Sequence, residues 1–449
     1  MASTYATRTV GTATNNNKFT ISVWSKRSKL TGDYQGILTS RGSGWDAGIG
    51  LYWGNDESVW YNFSTSSTAL ATVSTTAKHR DVNSWYHIVI AGDTTQSGTN
   101  KLKIWVNGEQ QTSFTNDDRS SFVGLSNDLG HTGYPMQLGR KHDGSYYYDG
   151  LMSHFHFVDG TAYDASAFGE TDTTTGEWKA KTSPSVTYGT NGFLILKDGN
   201  TITDQSSNSN NFTLGGGTLT DLKDNPDNIF ATINPLDFYY GGQASGSLSN
   251  GNTKIQTAGS GVETYTLSTL GASSGKYYCE MKLVSSTAAH QTRFGIAYEP
   301  SNSTSDWLGK RNVGWSYRQD GKVTNNSSNY SGTWNSYTSG DIIGMAIDLD
   351  NNKLYFSKNG VFQNSGVPTS GSTGTGGVTL TADKTYLIGI GDETGGYSVC
   401  ELNFGNGYFG TTAITTNSGN GYAGAEGSSK FNYQPPTGYS ALSTKGLNE

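Results

Sequence analysis

Charge is in short supply in this sequence. Only 15% of its 449 residues are Asp, Glu, Lys or Arg, against the roughly 25% usual for globular chains. Coiled coils and helical bundles, which need dense Glu, Lys, Ala and Leu, are therefore excluded. Cysteine is scarcer still. Cys279 and Cys400 are the only two, which rules out a disulfide scaffold, and two thiols alone cannot make a zinc site. Each lies in a strand-like run, at 276–283 and 397–404, so one disulfide and a reduced buried pair both fit. Long apolar runs are missing. No stretch approaches the ~18 apolar residues of a membrane-spanning helix, and residues 1–10 lack the apolar centre of a signal peptide. The chain is thus expected to be made in a cytosol without membrane insertion, and any route out would not depend on a signal peptide. Basic clusters are missing too. The 30 Lys and Arg against 37 Asp and Glu leave a net charge of −7, which disfavours broad electrostatic binding to nucleic acid or anionic membranes.

What is present is glycine and aromatic rings. Glycine contributes 60 residues, and Trp, Tyr and Phe contribute 10, 27 and 17. A disordered chain would lack those rings, so the sequence predicts an all-β protein with thin two-layer cores. Apolar and polar residues alternate at 19–24, 85–90, 102–106 and 151–158. Asn107-Gly108 after the third run is a strong hairpin signal, and Asp159-Gly160 ends the fourth. From 171 to 238 the alternation loosens. Runs at 193–196 and 211–214 are expected to pair across a turn at 204–210, and Asn225-Pro226 and Asn234-Pro235 mark a boundary. A second strand series starts near Tyr239, with runs at 275–283, 341–349, 353–357, 386–390 and 400–404 and a second hairpin at Asn359-Gly360. No short repeat period is visible, which disfavours solenoids and propellers. The expected organisation is two antiparallel β-sandwiches, at 1–170 and 239–449, joined by a β-containing connector at 171–238.

Three segments of the first half, 84–93, 101–108 and 138–170, resemble laminin-G/concanavalin-like domains. The second half resembles a SPRY domain at 275–281, at 340–360 including its central hairpin, and at Asn403-Phe404-Gly405. These resemblances imply that both sandwiches are of the concanavalin or jelly-roll type. Cys279 stands where that family often has an aromatic. The order of the two domains, with the connector between them and a tail at 431–442, resembles structural and appendage proteins of tailed marine bacteriophages, including cyanophages. The resemblance implies a virion-surface protein that meets other virion proteins and host-surface or environmental glycans, and a homo-oligomer with trimers favoured. Head decoration or a capsid-fibre role is the alternative it leaves, and a polysaccharide depolymerase a more distant one. The first pattern begins almost at Met1, so attachment is expected through a sandwich face, the connector or residues 440–449.

Catalytic signatures do not stand out. Laminarinase-type enzymes on this sandwich carry Glu-x-Asp-x-x-Glu, and no segment matches. Asp348-x-Asp350 has suitable spacing but falls at the SPRY turn, so no catalysis is expected. His154 and His156 share one strand face at i, i+2. Outward polar residues on a wet or subunit-facing surface explain them better than a metal site, which needs a third ligand. Laminin-G relatives that bind calcium make Asp143 and Asp149 weak candidates, and Asx turn-capping explains both equally well. Otherwise no cofactor is expected. Trp24, Trp85 and Trp105 lie inside alternating runs and are expected in the core. The remaining rings are the glycan-binding candidates: Trp45, with Trp53 and Trp60 in similar Gly-rich surroundings; Tyr146 and Tyr148; and, in the loops from which SPRY domains build their binding face, Trp307, Trp315, Tyr317, Tyr330 and Trp334. Asn325, Asn326 and Asn329 beside them would hydrogen-bond sugar hydroxyls.

Overall fold

The structure, a computed structural model, describes residues 3–448 apart from 43–44, 67–68, 127–128, 198, 200, 238–245, 258–261, 288–291, 394–395 and 416–420. The chain forms two compact units, Met1–Asp221 with Asn225–Asp227, and Leu222–Asp224 with Asn228–Glu449. Both are built from antiparallel sheets, and the only helices among the described residues are short 3₁₀ turns. The expected start of the second strand series, Tyr239, lies outside the described residues.

The first unit is a sandwich of an eight-stranded and a six-stranded sheet. In the six-stranded sheet, Lys18–Arg27 lies between Gly150–Asp159 and Tyr86–Asp93, and Leu102–Val106 and Glu109–Gln110 follow on the far side. Period-two alternation sorts the side chains. Phe19, Ile21, Val23, Ile88, Ile90, Leu102, Ile104 and Val106 face the interior and meet Leu51, Tyr61, Phe63 and Val73 of the other sheet. The opposite face of this sheet carries Val89, Ala91, Trp105 and Val158. Residues 161–190 fold back over it, and Ala165, Phe168, Tyr163, Trp178 and Tyr188 form a second, outer apolar layer. Trp105 is therefore buried as expected, in this outer layer rather than between the two sheets. Trp24 shares its face, stacked on His87 at 4.9 Å.

Two sequence expectations fail here for stated reasons. His154 and His156 do not sit together on a wet face. The strand bulges between Ser153 and His156, with His154 at φ +45°. His156 is buried, its Nδ1 2.8 Å from the Tyr188 hydroxyl, because the 161–190 layer covers the surface that alternation alone would leave to solvent. Likewise, Phe193–Ile195 and Thr213–Gly216 do not pair with each other. The first adds to the six-stranded sheet beside Gly150–Asp159 and the second to the eight-stranded sheet beside Tyr5–Thr9. Phe193, Ile195 and the neighbouring Phe212 all enter the sandwich core, so each run completes a different layer. The turn between them forms as expected: the Asp204 carboxylate accepts from the backbone N–H groups of Leu194, Ser206 and Asn210. This part of the expected connector thus belongs to the first unit.

The second unit packs a nine-stranded sheet on a six-stranded one. Lys276–Ser286 is central, between Ile342–Asp348 and Ser398–Asn403. Cys279 and Cys400 are free and buried in its core, facing Met345 and Leu283 across the ladder. Burial pushes both thiols up. Asn359 and Gly360 have φ +49° and +81° and join Lys353–Lys358 to Val361–Phe362, the two-residue hairpin their dipeptide predicts. Asp348 and Asp350 serve that region's turns. Asp348 accepts from Asn351 N–H at 3.0 Å and pairs with Lys276 at 3.3 Å, and Asp350 accepts from Gly275 N–H at 2.7 Å.

Candidate functional site

Most of the predicted aromatic rim turns inward. Trp315 and Tyr317 sit two residues apart on Gly314–Arg318, so both point the same way, into the core beside Ile296 and Phe356. Trp334 joins them there, 5.9 Å from the Tyr317 ring. All three are lost as exposed stacking surfaces, because the unit's interior needs large rings to fill it. Trp307 is half-buried, but the Arg293 guanidinium lies 3.9 Å from its ring centroid. Tyr330 is also half-buried. Its hydroxyl accepts from Trp315 Nε1 at 3.3 Å and donates to the Thr379 carbonyl at 3.4 Å. The Asn325 side chain donates to the Gly314 carbonyl at 2.8 Å, while Asn326 and Asn329 stay exposed.

In the first unit, Tyr148 turns inward and its hydroxyl lies 2.9 Å from the carbonyls of Lys26 and Leu151. The Trp45 side chain lies outside the described residues. Asp143 and Asp149 do not assemble a calcium site. Asp143 accepts from Ser145 and from Lys141 Nζ at 2.6 Å, and Asp149 pairs with Lys29 at 2.9 Å. Burial would raise the Asp143 carboxyl, but the bonds from Lys141 and Ser145 outweigh it and hold the group at about 2. Among the described residues no group of three or more His, Cys, Asp or Glu is placed to hold a metal. Tyr146, Trp60 and the unpredicted Tyr34 stay half-exposed, and Tyr34 touches both of the others.

Another candidate site is one the sequence reading did not single out. It is a groove of about 550 Å³ where the 161–180 segment leaves the outer face of the six-stranded sheet. Ala91, Lys103 and Trp105 form its floor, and Tyr163 and Trp178 stand at its side. Asp93, Gln96, Asn100, Gln110 and Asp164 supply hydrogen-bonding groups around them. Such a set, apolar ring surface bordered by a few directional polar groups, suits a ligand with one apolar and one hydroxylated side.

Trp178 is held rigidly. Its Nε1 donates to His87 Nδ1 at 2.9 Å, and His87 Nε2 lies 2.8 Å from Ser22 Oγ. Because Nδ1 accepts, the imidazole is neutral with its proton on Nε2. Burial pushes its pKa down to about 3, with the His154 charge adding. The indole also lies across two glycines: a Cβ at Gly108 would stand 2.6 Å from it, and one at Gly169 2.5 Å. The groove's carboxylate at Asp93 is unsuited to donate a proton. Burial would raise it, but bonds from Thr95, Gln96 and Lys18 outweigh that and leave it below the ordinary value.

Residues 2–166 match the family model of the concanavalin A-like lectin/glucanases superfamily, and residues 276–381 match that of the SPRY domain. The chain carries a concanavalin-like domain followed by a SPRY domain. Both floor tryptophan and groove strands of the site lie within the concanavalin-like match, whereas Trp178 falls just beyond it. Similar solved structures include the SPRY domain of human HERC1, at 19% identity, covering 35% of this chain and 91% of that one with a TM-score of 0.28. Stonustoxin is similar at 17% identity over 38% of this chain and 27% of its own, TM-score 0.29. The TRIM65 PSpry domain follows at 16% identity over 38% and 91%, TM-score 0.28. No curated protein matches the chain.

Proposed function

We propose that this protein binds neutral glycans without cleaving them, through the groove of its concanavalin-like unit. The observation that carries the reading is the immobilised Trp178 beside Trp105 in a groove bordered by amides and carboxylates. A pyranose presents an apolar C–H face that would stack on the indole, and hydroxyls that would meet Asn100, Gln110 and Asp164. Asp93 and Asp164 against Lys103 leave no excess of positive charge, which favours a neutral sugar over a sulfated or uronate one. The depressed Asp93 carboxyl supports binding over acid-assisted hydrolysis, which needs a protonated acid.

The placement we propose is the surface of a tailed-phage particle, on the tail or as a head decoration. Its support is the order of a concanavalin-like then a SPRY domain, together with a low-charge surface rich in hydroxyls and amides. No helix among the described residues is long and apolar enough to cross a membrane. Weak single-site binding would be strengthened by many copies on one particle, in contact with other virion proteins and arranged as a homo-oligomer, with a trimer our first choice.

Calorimetric titration of the full chain with neutral oligosaccharides tests the binding claim. Saturable binding without release of reducing ends is expected, and Trp178→Ala should weaken it about tenfold, ~1.4 kcal/mol. Cleavage of the oligosaccharide would overturn the non-catalytic reading, and unchanged affinity in Trp178→Ala would remove the groove.

A further inference from the structure

A second cluster of rings stands at the other sheet of the first unit. Tyr34, just before strand Gln35–Gly42, makes edge contacts with Trp60 at 5.2 Å, Tyr146 at 5.5 Å and Tyr52 at 6.4 Å between ring centroids. Tyr34, Trp60 and Tyr146 are half-exposed. Tyr52 lies beneath them at 2% exposure, and its hydroxyl has no hydrogen-bond partner among the described residues. Leaving a buried hydroxyl unpaired is costly, so the phenol is a vacant polar group at the base of an aromatic cluster.

That hydroxyl feels the charge of the loop that carries Asp143 and Tyr146. Its titration is pushed far up, first by burial and then by Asp143 and Tyr146. Tyr34 is raised by burial, then by Asp56, Tyr146 and Asp33. Tyr146 itself holds φ +49°, a left-handed conformation that is uncommon for a bulky aromatic residue and is found where ligands are clamped. Trp60 is fixed as well. Its Nε1 donates to Asp56 at 3.0 Å, and its indole lies so close over Gly54 that a Cβ there would stand 2.2 Å away. One indole face therefore rests on backbone.

We propose that Tyr34, Tyr52, Trp60 and Tyr146 form a second saccharide-binding site that takes a neutral sugar unit. The chemistry decides the class. Rings already in edge contact leave no gap for a cation to be caged between them. Of the three nearby carboxylates, Asp56 pairs with Lys78 and Asp143 with Lys141 at 2.6 Å, and Asp33 beside Tyr34 adds negative charge, so the site offers an anionic ligand no net attraction. What remains is ring surface with phenol groups that can bond hydroxyls, which matches the two sides of a pyranose. The site extends the glycan-binding reading to a separate place and uses none of the groove's residues.

The test uses the full chain labelled with fluorotryptophan, with the Trp60 and Trp178 fluorine resonances assigned from Trp60→Phe and Trp178→Phe. Cellohexaose, mannohexaose and a galactose hexamer are titrated, with a uronate hexamer as the charged probe. At least one neutral hexamer should shift the Trp60 resonance saturably, and should still do so in Trp178→Ala. Tyr52→Phe should weaken this site about two- to tenfold, the worth of one neutral hydrogen bond, without lowering the unfolding temperature. A static Trp60 resonance beside a responsive Trp178 removes the second site and leaves the groove. The reverse result removes the groove and leaves this site, and two static resonances remove both. Response to the uronate alone overturns the neutral class. Loss of fold stability in Tyr52→Phe would mean that the phenol serves packing, which also overturns the proposal.

Discussion

Gly108 has φ +83° and follows Asn107 at +50° in the hairpin that turns Leu102–Val106 into Glu109–Gln110. Only glycine adopts that conformation without strain, and the Trp178 indole occupies the space a side chain would need. Gly108→Ala should therefore lower unfolding stability by about 1–3 kcal/mol, read by urea denaturation. It should also weaken glycan binding, because the indole would have to move off its bond to His87. The neighbouring Asn107 contributes from the same turn: its side-chain carbonyl accepts from His87 N–H at 2.8 Å. One dipeptide thus shapes the turn, spaces the ring and anchors the histidine that orients it.

At the scale of elements, the segment at 431–442 is a strap on the second unit. Phe431, Tyr439 and Ala441 are buried with Tyr278 and Tyr355 on the face of the nine-stranded sheet turned away from the main core. Ser440–Ala441 runs parallel to Lys276–Ser286. Glu280, buried on that strand, accepts from the N–H groups of Asn432 at 2.8 Å and Tyr433 at 2.7 Å and from Asn403 at 3.0 Å. Glu280→Ala would leave those donors unpaired and should cost about 2–4 kcal/mol. Glu280→Gln, which keeps an acceptor, should cost less, and chemical denaturation of both variants measures the difference. The strap shows where sequence reading stops. The Asn107-Gly108 and Asn359-Gly360 hairpins were legible because two residues dictate their own geometry. The alternating strands were legible because burial on one face writes a period of two. Alternation does not say which face is covered, so Trp315 and Tyr317 were assigned to a rim when they fill a core. Trp105 was rightly assigned to a buried core, but nothing in the alternation told that it packs in the outer layer and edges a groove. The groove itself needs residues 161–180 to return over the sheet, and no local pattern announces a contact between Trp178 and His87. The bulge at His154 was hidden for the same reason.

Across the whole molecule, the two units should answer pH in opposite directions. In the first, burial pushes His79 down to about 4 and His87 to about 3. As pH falls below the usual histidine value of ~6.5 the unfolded chain takes protons that the folded unit refuses, so stability is lost. In the second, burial raises Glu280 to about 7, Asp392 to about 8 and Asp237 to about 6. There the folded unit takes protons first, so stability rises as pH falls through those values toward ~4–4.5. Scanning calorimetry of the full chain at pH 7.5 and 5, with conditions set at about those values, should show one transition falling and the other rising. Ile90→Ala and Ile347→Ala, each a core truncation in one unit, assign them. A different consequence follows from the eight-stranded sheet, where Tyr5 pairs with Gly216 and Ala6 with Leu138. A ribosome adding roughly 5–20 residues per second needs roughly 10–40 s to travel between those first two partners. Throughout that interval Tyr5–Thr9 lacks at least one of its two sheet neighbours, and a chaperone that shields its edge has its natural moment to act.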